Sequence, residues 1–298
     1  MNYEYYKIFY CVGKHKNITR AAEELYSSQP AVTRVIQNME SELNCRLFVR
    51  TKKGVEFTHE GELLYEYVSV ACDHLVKAEE TLQQNGSVEG GTVYIGATVT
   101  ALTCYLFEFL NKFRNKYPKV KLKIWTGSTH TTVSNLENGR VDLAFVTTPC
   151  TVNKPMVTTD LLRFQDVLIG GKEYAFLAEK GLNVETIFHY PFVTLRKGMQ
   201  LRQFLDDWFA DYGVTLAPDI ESDGANLMIL TVRNGLGLAF APEPMAQEDI
   251  ARGELVRIPF EQPFPSRKVC LVTNPHLPQT PASREMFRMV TQDARGTN

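Results

Sequence analysis

The sequence predicts a multidomain α/β protein with an N-terminal winged helix-turn-helix, a long linker helix and a two-lobed C-terminal domain. Charge is the first observation: residues 1–58 carry nine Lys and Arg against six Asp and Glu, whereas residues 59–88 carry six acids against Lys77 alone. The apolar spacing is the second, because short helices give way to one long helix and then to alternating strands and helices. Length is the third, since 298 residues suit two or three domains.

These changes of pattern set the predicted domain boundaries. We expect the helix-turn-helix and its wing at 1–58, the linker helix at 59–88 and the two-lobed domain at 89–298. Within that last domain, lobe I is predicted at about 89–161 and 266–298, and lobe II at about 162–265. The Gly-Gly at 90–91 marks the entry into the two-lobed domain.

The first two helices are read from apolar residues at helical spacing between Phe9 and Leu25. A first helix is predicted to end near Gly13, and a second to run over about 18–25. Asn17 suits the N-cap of the second helix, because its side-chain oxygen can accept an unpaired N–H of the next turn.

A third helix follows a short polar break. Ser27 or Ser28 caps it, and Pro30 fits its first turn because the N–H that proline lacks is unpaired there anyway. Its predicted buried face holds Val32, Ile36, Met39 and Leu43. Its opposite face holds Gln29, Thr33, Arg34 and Gln37. Such side chains can read base edges in a DNA major groove, although an ordinary solvated polar face has the same composition.

Residues 46–58 alternate apolar and polar side chains around a Lys-Gly turn, which predicts a two-stranded wing. Its tip carries Arg50, Lys52 and Lys53, which are suited to bind phosphates or the minor groove.

At this point the sequence resembles the N-terminal domain of LysR-type transcriptional regulators. The resemblance rests on Ala-Ala-Glu-Glu-Leu at 21–25, Ser-Gln-Pro-Ala-Val-Thr-Arg at 28–34, Met-Glu-Ser-Glu-Leu at 39–43, Leu-Phe-Val-Arg-Thr at 47–51 and Thr58-x-x-Gly61. Ile18, Val35 and Asn44-Cys45 depart from the usual pattern, and Val35 could shift the sequence preference. We take as candidate DNA contacts Asn17, Thr19, Ser28, Gln29, Pro30, Thr33, Arg34, Gln37, Arg50, Lys52 and Lys53.

The linker reads as one long helix from about Thr58 to Gln84, with apolar residues sustained at spacings of three and four. That spacing suits pairing with a second copy, and a lone helix packed on its own protein is the alternative. The resemblance implies a dimerising linker helix, and hence a homodimer or dimer of dimers. A two-fold symmetric protein would bind an interrupted inverted repeat of double-stranded DNA.

The remaining chain opens with a βαβαβ pattern, whose strands are predicted at 92–97, 120–124 and 141–146. A second set of strands and helices follows from 166 to 241, and a strand at 268–273 with a helix near 283–291 closes the chain. Tyr117-Pro118-x-Val120, Asn138-Gly139-x-Val141-Asp142-Leu143 and Asn234-Gly235-Leu236-Gly237-Leu238 match recurring blocks of the family. They imply its periplasmic-binding-protein-like effector domain.

A ligand is expected in the cleft between the lobes, where strands end at their carboxyl side. Three segments at such strand ends, 98–100, 147–148 and 194–196, would supply hydroxyls, a helix N-terminus and one arginine, which suit a small anion. The resemblance places effector contacts in the same three segments. Routine capping and strand-end packing are the alternative roles for these threonines. The candidate effector residues are Thr98, Val99, Thr100, Thr147, Thr148, Thr194 and Arg196.

Other classes of protein lack their sequence signals. No nucleophile elbow, phosphate loop, dinucleotide fingerprint or zinc motif is present, so we expect no enzyme, no cofactor and no metal. A thiol redox sensor remains an alternative regulator. Some members of the family that this sequence resembles sense oxidant through a cysteine pair in the second lobe, but residues 151–269 hold no cysteine, which disfavours that mechanism. A solute receptor would need export, whereas the N-terminus resembles no signal peptide and no run of about 20 apolar residues suits a membrane. We expect a cytoplasmic protein, with RNA polymerase as a partner if it activates transcription.

Overall fold

The computed structural model describes residues 2–83 and 88–296, and the chain divides into two compact units after Gln83. Residues 84–87, which include part of the predicted linker segment, lie outside the described residues. The long helix, predicted over about Thr58–Gln84, spans His59–Gln83, and Val88 belongs to a 3₁₀ turn.

The first unit is the predicted winged helix-turn-helix followed by the long helix. Its elements are α1 (Tyr3–His15), α2 (Ile18–Glu24), α3 (Gln29–Leu43), β1 (Phe48–Thr51), β2 (Gly54–Phe57) and α4 (His59–Gln83). The two strands pair antiparallel, with Arg50 opposite Val55.

Side-chain caps begin α2 and α3 where the sequence predicts them. The Asn17 side-chain oxygen accepts the N–H of Arg20 at 3.1 Å, and the Ser28 hydroxyl accepts the N–H of Ala31 at 3.4 Å. Of the two candidate serines, Ser28 is therefore the cap of α3.

The buried face of α3 is shorter than predicted. Val32, Ile36 and Met39 are buried, but Leu43 in the last turn is 37% exposed. Asn44 ends the helix in the left-handed conformation, with φ of 52°, and turns the chain so that Leu47 enters the core instead.

The wing is held on both sides by the rest of the unit. The N–H of Val55 donates to the carbonyl of Lys16 at 2.9 Å, which ties β2 to the turn between α1 and α2. Rings from α1, both strands and α4 pack together with centroids 4.8–6.3 Å apart, and they belong to Phe9, Phe48, Phe57 and Tyr65. Val32, Ile36 and Met39 of α3 belong to the same buried cluster, so α3 and the wing have a defined mutual position.

Thr58 and Gly61 join the wing to α4. The Thr58 hydroxyl donates to the carbonyl of Arg46 at 2.6 Å and accepts the N–H of Gly61 at 3.0 Å. A Cβ built on Gly61 would lie 2.0 Å from the carbonyl oxygen of Leu47. The Thr-x-x-Gly spacing therefore combines a helix cap with a backbone approach that only glycine permits.

The second unit contains two α/β lobes. Its elements are β3 (Thr92–Ala97), α5 (Val99–Ala101), α6 (Phe107–Lys116), β4 (Lys121–Thr126), α7 (Thr129–Glu137), β5 (Leu143–Thr147), β6 (Val157–Phe164), β7 (Asp166–Gly171), α8 (Leu177–Lys180), β8 (Val193–Leu195), α9 (Gln200–Asp211), β9 (Ile220–Ser222), α10 (Ala225–Arg233), β10 (Leu238–Pro242), α11 (Glu243–Ala251), β11 (Leu255–Ile258), β12 (Arg267–Thr273) and α12 (Pro281–Gly296). A π-helical segment, Leu102–Leu106, joins α5 to α6.

Lobe I is built on a five-stranded sheet in the order β4-β3-β5-β12-β6. The first three strands are parallel, as the βαβαβ pattern predicts, and β12 runs antiparallel between β5 and β6. The sequence does not predict β6, whose outer positions are largely exposed. The carboxyl ends of β3, β4 and β5 therefore meet at one edge of this sheet.

Lobe II contains the antiparallel sheet β10-β7-β11 and the parallel pair β8-β9. A parallel bridge between Phe192 and Leu238 joins these two sheets. Gly237 precedes the bridge with φ of 137°, and a Cβ there would lie 2.3 Å from the carbonyl oxygen of Pro191. Glycine at this position lets β10 begin beside β8.

The chain crosses between the lobes twice. The first crossing is at Gln165, between β6 and β7, and the second lies between β11 and β12. Because β6 pairs with β12 as far as Phe164, lobe I extends beyond its predicted boundary at 161. The closing helix α12 is also longer than the predicted 283–291.

Gly61→Ala should destabilise the first unit by about 1–3 kcal/mol, because the added Cβ overlaps the Leu47 carbonyl. An exposed helical glycine would instead gain stability on this change. The measurement is urea unfolding, followed by circular dichroism for helix content and by tryptophan fluorescence. Both tryptophans, Trp125 and Trp208, lie in the second unit, so the fluorescence transition should not move.

The control is Gly90→Ala, because a Cβ at Gly90 meets no atom within 4 Å. Equal helical stability in Gly61→Ala and the unmodified protein would contradict the packing role of Gly61.

Candidate nucleic-acid interface and ligand cleft

The candidate DNA-contacting side chains all lie outside the core of the first unit. Asn17 and Thr33 are half-buried, and the others are exposed: Thr19, Ser28, Gln29, Pro30, Arg34, Gln37, Arg50, Lys52 and Lys53. Asn17 and Ser28 have their side-chain oxygens engaged in the caps of α2 and α3, which leaves their remaining hydrogens for an external acceptor.

A groove of about 310 Å³ separates α3 from the wing. Thr33 and Gln37 line it from α3, and Arg50 lines it from β1. The structure therefore brings together residues that the sequence assigned separately to the helix and to the wing. Lys52 and Lys53 lie outside this groove, in the exposed turn between the strands.

Ion pairing divides the cations of this unit into two groups. Lys14 pairs with Glu24 at 2.7 Å and Arg46 with Glu40 at 3.5 Å. Within the described ranges, a second group has no ion-pair partner and includes Arg34, Arg50, Lys52 and Lys53. The positive charge of the unit is thus unneutralised on α3 and the wing, where a polyanion could bind.

A cleft of about 420 Å³ lies between the two lobes of the second unit. Four of the predicted effector residues line it, namely Thr98, Val99, Thr100 and Thr147. The three threonines are each more than nine-tenths buried.

The other three predicted effector residues are absent from the cleft wall. The Thr148 hydroxyl accepts the N–H of Lys268 at 2.9 Å, and Thr194 is fully buried with no hydrogen-bond partner found for its hydroxyl oxygen. Arg196 is exposed and pairs with Asp223 through its Nε.

The arginine that lines the cleft is Arg267, which sequence reasoning missed. Its side chain and that of Asp166 are each 3% exposed, and its Nη1 lies 2.9 and 3.2 Å from the two carboxylate oxygens. Its Nε donates to the carbonyl of Thr148 at 2.7 Å and its Nη2 to the hydroxyl of Thr147 at 3.0 Å. Burial raises the pKa of Asp166, and the guanidinium of Arg267 opposes that shift.

The cleft threonines keep hydroxyl protons for a ligand. Thr147 accepts from Arg267 and Thr98 accepts the N–H of Ala101 at 3.2 Å, so each hydroxyl still has a hydrogen to donate. Neither of these hydrogens, nor that of Thr100, has an acceptor among the residues that the structure describes. The wall of the cleft is therefore rich in hydrogen-bond donors.

Helix N-termini surround the same cleft. The N-caps of α5, α7, α9 and α10 all line it, and they are Thr98, Ser128, Met199 and Gly224. Met199 and Gly224 make no side-chain cap, so the first N–H groups of α9 and α10 have no capping side chain. The sequence contained the signal for these segments, because each helix follows a parallel strand whose carboxyl end faces the cleft.

The cysteine side chains are free thiols, and burial raises the pKa of five of them. Burial raises the pKa of Cys104 and Cys270 to about 12 and that of Cys11 to about 11. It also raises the pKa of Cys72 and Cys150. Because the thiolate is the reactive form, these environments disfavour a redox-sensing role.

The described residues hold neither a metal-binding cluster nor a membrane-spanning helix. They contain no group of three or more His, Cys, Asp and Glu side chains that could hold a metal ion. None of their helices combines the length and apolar character needed to cross a bilayer.

A winged helix-turn-helix with unpaired cations on its third helix and wing, joined to a two-lobed ligand-binding domain, defines a DNA-binding transcription regulator rather than an enzyme. The family models agree with this class. Residues 4–62 match the bacterial regulatory helix-turn-helix protein model of the lysR family, and residues 86–295 match the LysR substrate binding domain. The chain belongs to the LysR family of transcription regulators, which confirms the fold class and the function predicted from the sequence.

Known relatives extend this result over nearly the whole chain. A probable RuBisCO transcriptional regulator of Guillardia theta is 30% identical and covers 94% of this chain and 92% of its own. One from Cyanophora paradoxa is 28% identical and covers 94% of this chain and 88% of its own. The crystal structure of CbnR, a LysR family regulator, matches the fold with a TM-score of 0.78 at 15% identity, covering 99% of both chains.

Arg267→Met should lower the free energy of unfolding of the second unit by about 3–5 kcal/mol, because it leaves the Asp166 carboxylate buried without its cation. Urea unfolding followed by tryptophan fluorescence measures this, since Trp125 and Trp208 both lie in that unit.

The neighbouring residue supplies the control. Lys268 pairs with Asp160 at the surface, so Lys268→Met should cost no more than about 1 kcal/mol. Equal costs for the two substitutions would show that burial of the Arg267 pair has no special weight.

Proposed function

We propose that this regulator binds an interrupted inverted repeat in DNA as a homodimer or dimer of dimers in the cytoplasm, and that a small oxyanion in the cleft controls it. The observation that carries the proposal is the donor-rich cleft formed around Thr98, Thr100 and Thr147. The unpaired cations of α3 and the wing support its DNA-binding half.

Base readout is assigned to the exposed face of α3. Arg34 and the two glutamines can form paired hydrogen bonds to base edges, and Thr33 can meet a thymine methyl. The wing cations Arg50, Lys52 and Lys53 bind phosphates or the minor groove. Positioning contacts to the backbone come from Asn17, Thr19, Ser28 and Pro30 at the start of α2 and α3.

Self-association is assigned to α4. One of its faces packs on its own unit through Val68 and Cys72. Another set of large apolar side chains is exposed at helical spacing and includes Leu63, Tyr67, Leu75 and Leu82. A second copy of the helix would remove this apolar surface from water. A symmetric pair of α3 helices then explains a symmetric operator.

The effector class follows from the donors in the cleft. Buried O–H groups and uncapped N–H groups call for a ligand that is an acceptor on every side, as carboxylate, phosphate and sulfate are. Arg267 adds no free charge, because Asp166 already neutralises it. Selectivity therefore depends on the arrangement of neutral donors.

Regulation is assigned to closure of the lobes on the oxyanion. A ligand that binds donors of both lobes favours the closed form by its difference in affinity between the two states. Closure would then change how paired first units sit on DNA, with RNA polymerase as a partner if the output is activation. A thiol sensor is disfavoured by the raised pKa values of its buried cysteines.

Arg34→Ala should weaken binding to the selected operator by about 1–3 kcal/mol if Arg34 makes a paired base contact, with a smaller loss on random DNA. Selection of genomic fragments by the purified protein supplies the operator, and fluorescence anisotropy at several salt concentrations measures affinity. A double alanine variant of Lys52 and Lys53 should chiefly reduce the salt dependence.

The matched control is Arg114→Ala, an exposed arginine of the second unit. Equal losses for Arg34→Ala on operator and random DNA would assign Arg34 to a phosphate instead of a base. No enrichment of any inverted repeat, with or without anions, would contradict the symmetric operator.

Thr100→Ala should weaken oxyanion binding about tenfold, because it removes one hydrogen bond to a charged group. Inorganic phosphate, sulfate and succinate serve as probes, with acetamide as a neutral comparison, and the shift of the thermal midpoint measures binding. Thr158→Ala, on an exposed position of β6, is the control. Unchanged binding in Thr100→Ala, or stabilisation by acetamide alone, would contradict an oxyanion site here.

A further inference from the structure

Tyr26 stands out in the turn between α2 and α3. It is 99% exposed and has φ of 49°, in the left-handed region. The N–H of Tyr26 donates to the carbonyl of Glu23 at 3.2 Å, and that of Ser27 donates to the carbonyl of Ala22 at 2.9 Å. This is the hydrogen-bond pattern of a Schellman motif, in which glycine is the usual left-handed residue.

A tyrosine is therefore a costly residue at this position. An L side chain in the left-handed region is strained by roughly 1 kcal/mol, and the exposed ring removes no apolar surface from water. Within the described residues, the Tyr26 side chain makes no hydrogen bond and no ring contact. The packing of the unit gives no reason for this side chain, so its use lies outside the chain.

The neighbours of Tyr26 indicate the partner. Ser28 caps α3, and the exposed Gln29 and Pro30 begin the helix that reads DNA. The N-terminal end of a recognition helix lies where the protein meets base edges and the adjoining phosphates. Tyrosine hydroxyls and helix N-termini are frequent donors to phosphate oxygens. Polyanionic DNA is thus the partner whose chemistry fits this place.

We propose that Tyr26 is a DNA-positioning residue whose hydroxyl donates a hydrogen bond to a backbone phosphate beside the bases read by α3. This inference rests on DNA binding by the first unit and is independent of the effector. The contact sets the depth and angle of α3 without reading sequence. Strain in the turn is retained because the left-handed conformation holds the phenol out towards the phosphate.

The test compares Tyr26→Phe, which removes the hydroxyl, with Tyr26→Gly, which removes the ring and the strain. Affinity is measured by fluorescence anisotropy on the selected operator and on a random duplex. Tyr26→Phe should lose about tenfold on both duplexes, the loss expected for one hydrogen bond to a charged group. Tyr26→Gly should lose at least as much, while its urea midpoint stays equal to or above that of the unmodified protein.

The phosphate is identified with duplexes in which one phosphate beside the bases read by α3 is replaced by an uncharged methylphosphonate. The replacement that removes the contact with Tyr26 marks the phosphate. The duplex with that replacement should bind the unmodified protein about tenfold more weakly than normal DNA, but bind Tyr26→Phe with no further loss. Tyr212→Phe, another exposed tyrosine but in the second unit, is the control and should change nothing.

Three results would overturn the proposal. Unchanged DNA affinity in Tyr26→Gly would mean that DNA does not use this residue. A loss on the operator alone would mean a base contact rather than a phosphate contact. Additive losses from Tyr26→Phe and every methylphosphonate tested would mean that the two groups do not meet. Arg34→Ala assayed beside these variants separates failure of this contact from failure of operator recognition by α3.

Discussion

The buried ion pair between Arg267 and Asp166 is the constraint on which the second unit depends. Both residues begin strands at the crossings between the lobes, Asp166 at the start of β7 and Arg267 at the start of β12. An unpaired charge at such depth would be strongly unfavourable, so the two crossing segments must stay together. Arg267 also donates to Thr147 and Thr148, which extends the same constraint to the end of β5.

The same ion pair determines which hydrogen-bond donors the cleft offers to a ligand. The charge of Arg267 is neutralised by Asp166, and one of its Nη2 hydrogens is donated to the hydroxyl oxygen of Thr147, which also lines the cleft. Accepting from a cation polarises a hydroxyl, which strengthens its own donation to an acceptor. The cleft therefore has the buried charge of the pair behind its neutral donors, which fits the oxyanion proposed above. A free arginine would bind anions more tightly and with less dependence on shape.

Local patterns were enough to predict the first unit. Asn17, Ser28 and Pro30 mark where helices begin, and the alternation from 46 to 58 predicts the wing, because these signals act within a few residues. The prediction that Leu43 is buried is wrong, because the periodicity of a helix does not show where the core beneath it ends. The role of Gly61 needed the structure, since its contact lies fourteen positions away in sequence, at Leu47 just before β1.

The cleft was harder to predict because its residues are distant in sequence. Thr147 and Thr148 were both assigned to it, yet successive strand residues point to opposite sides, and Thr147 alone lines it. Arg196 ends a strand in the expected place, but it pairs with Asp223 while Arg267, from the other end of the chain, lines the wall. The sequence does not predict the strands β6 and β11, because their apolar and polar residues do not alternate regularly.

The position of the ion pair also bears on how the lobes can move. It joins the two crossing segments at their buried centre, whereas the helix N-termini that face a ligand lie around the cleft, those of α5 and α7 on lobe I and those of α9 and α10 on lobe II. Rotation about the crossings can change the distance between these two sets of donors without separating the charges of the pair. The π-helical segment Leu102–Leu106 contains Cys104, whose pKa is raised by burial and is shifted in opposite directions by the charges of Arg267 and Asp166. Such segments concentrate at functional sites in helices. In the proposed function, a ligand at Thr98 and Thr100 would bind at the start of the helix that contains this π-helical segment, so binding and lobe closure would act on one continuous element.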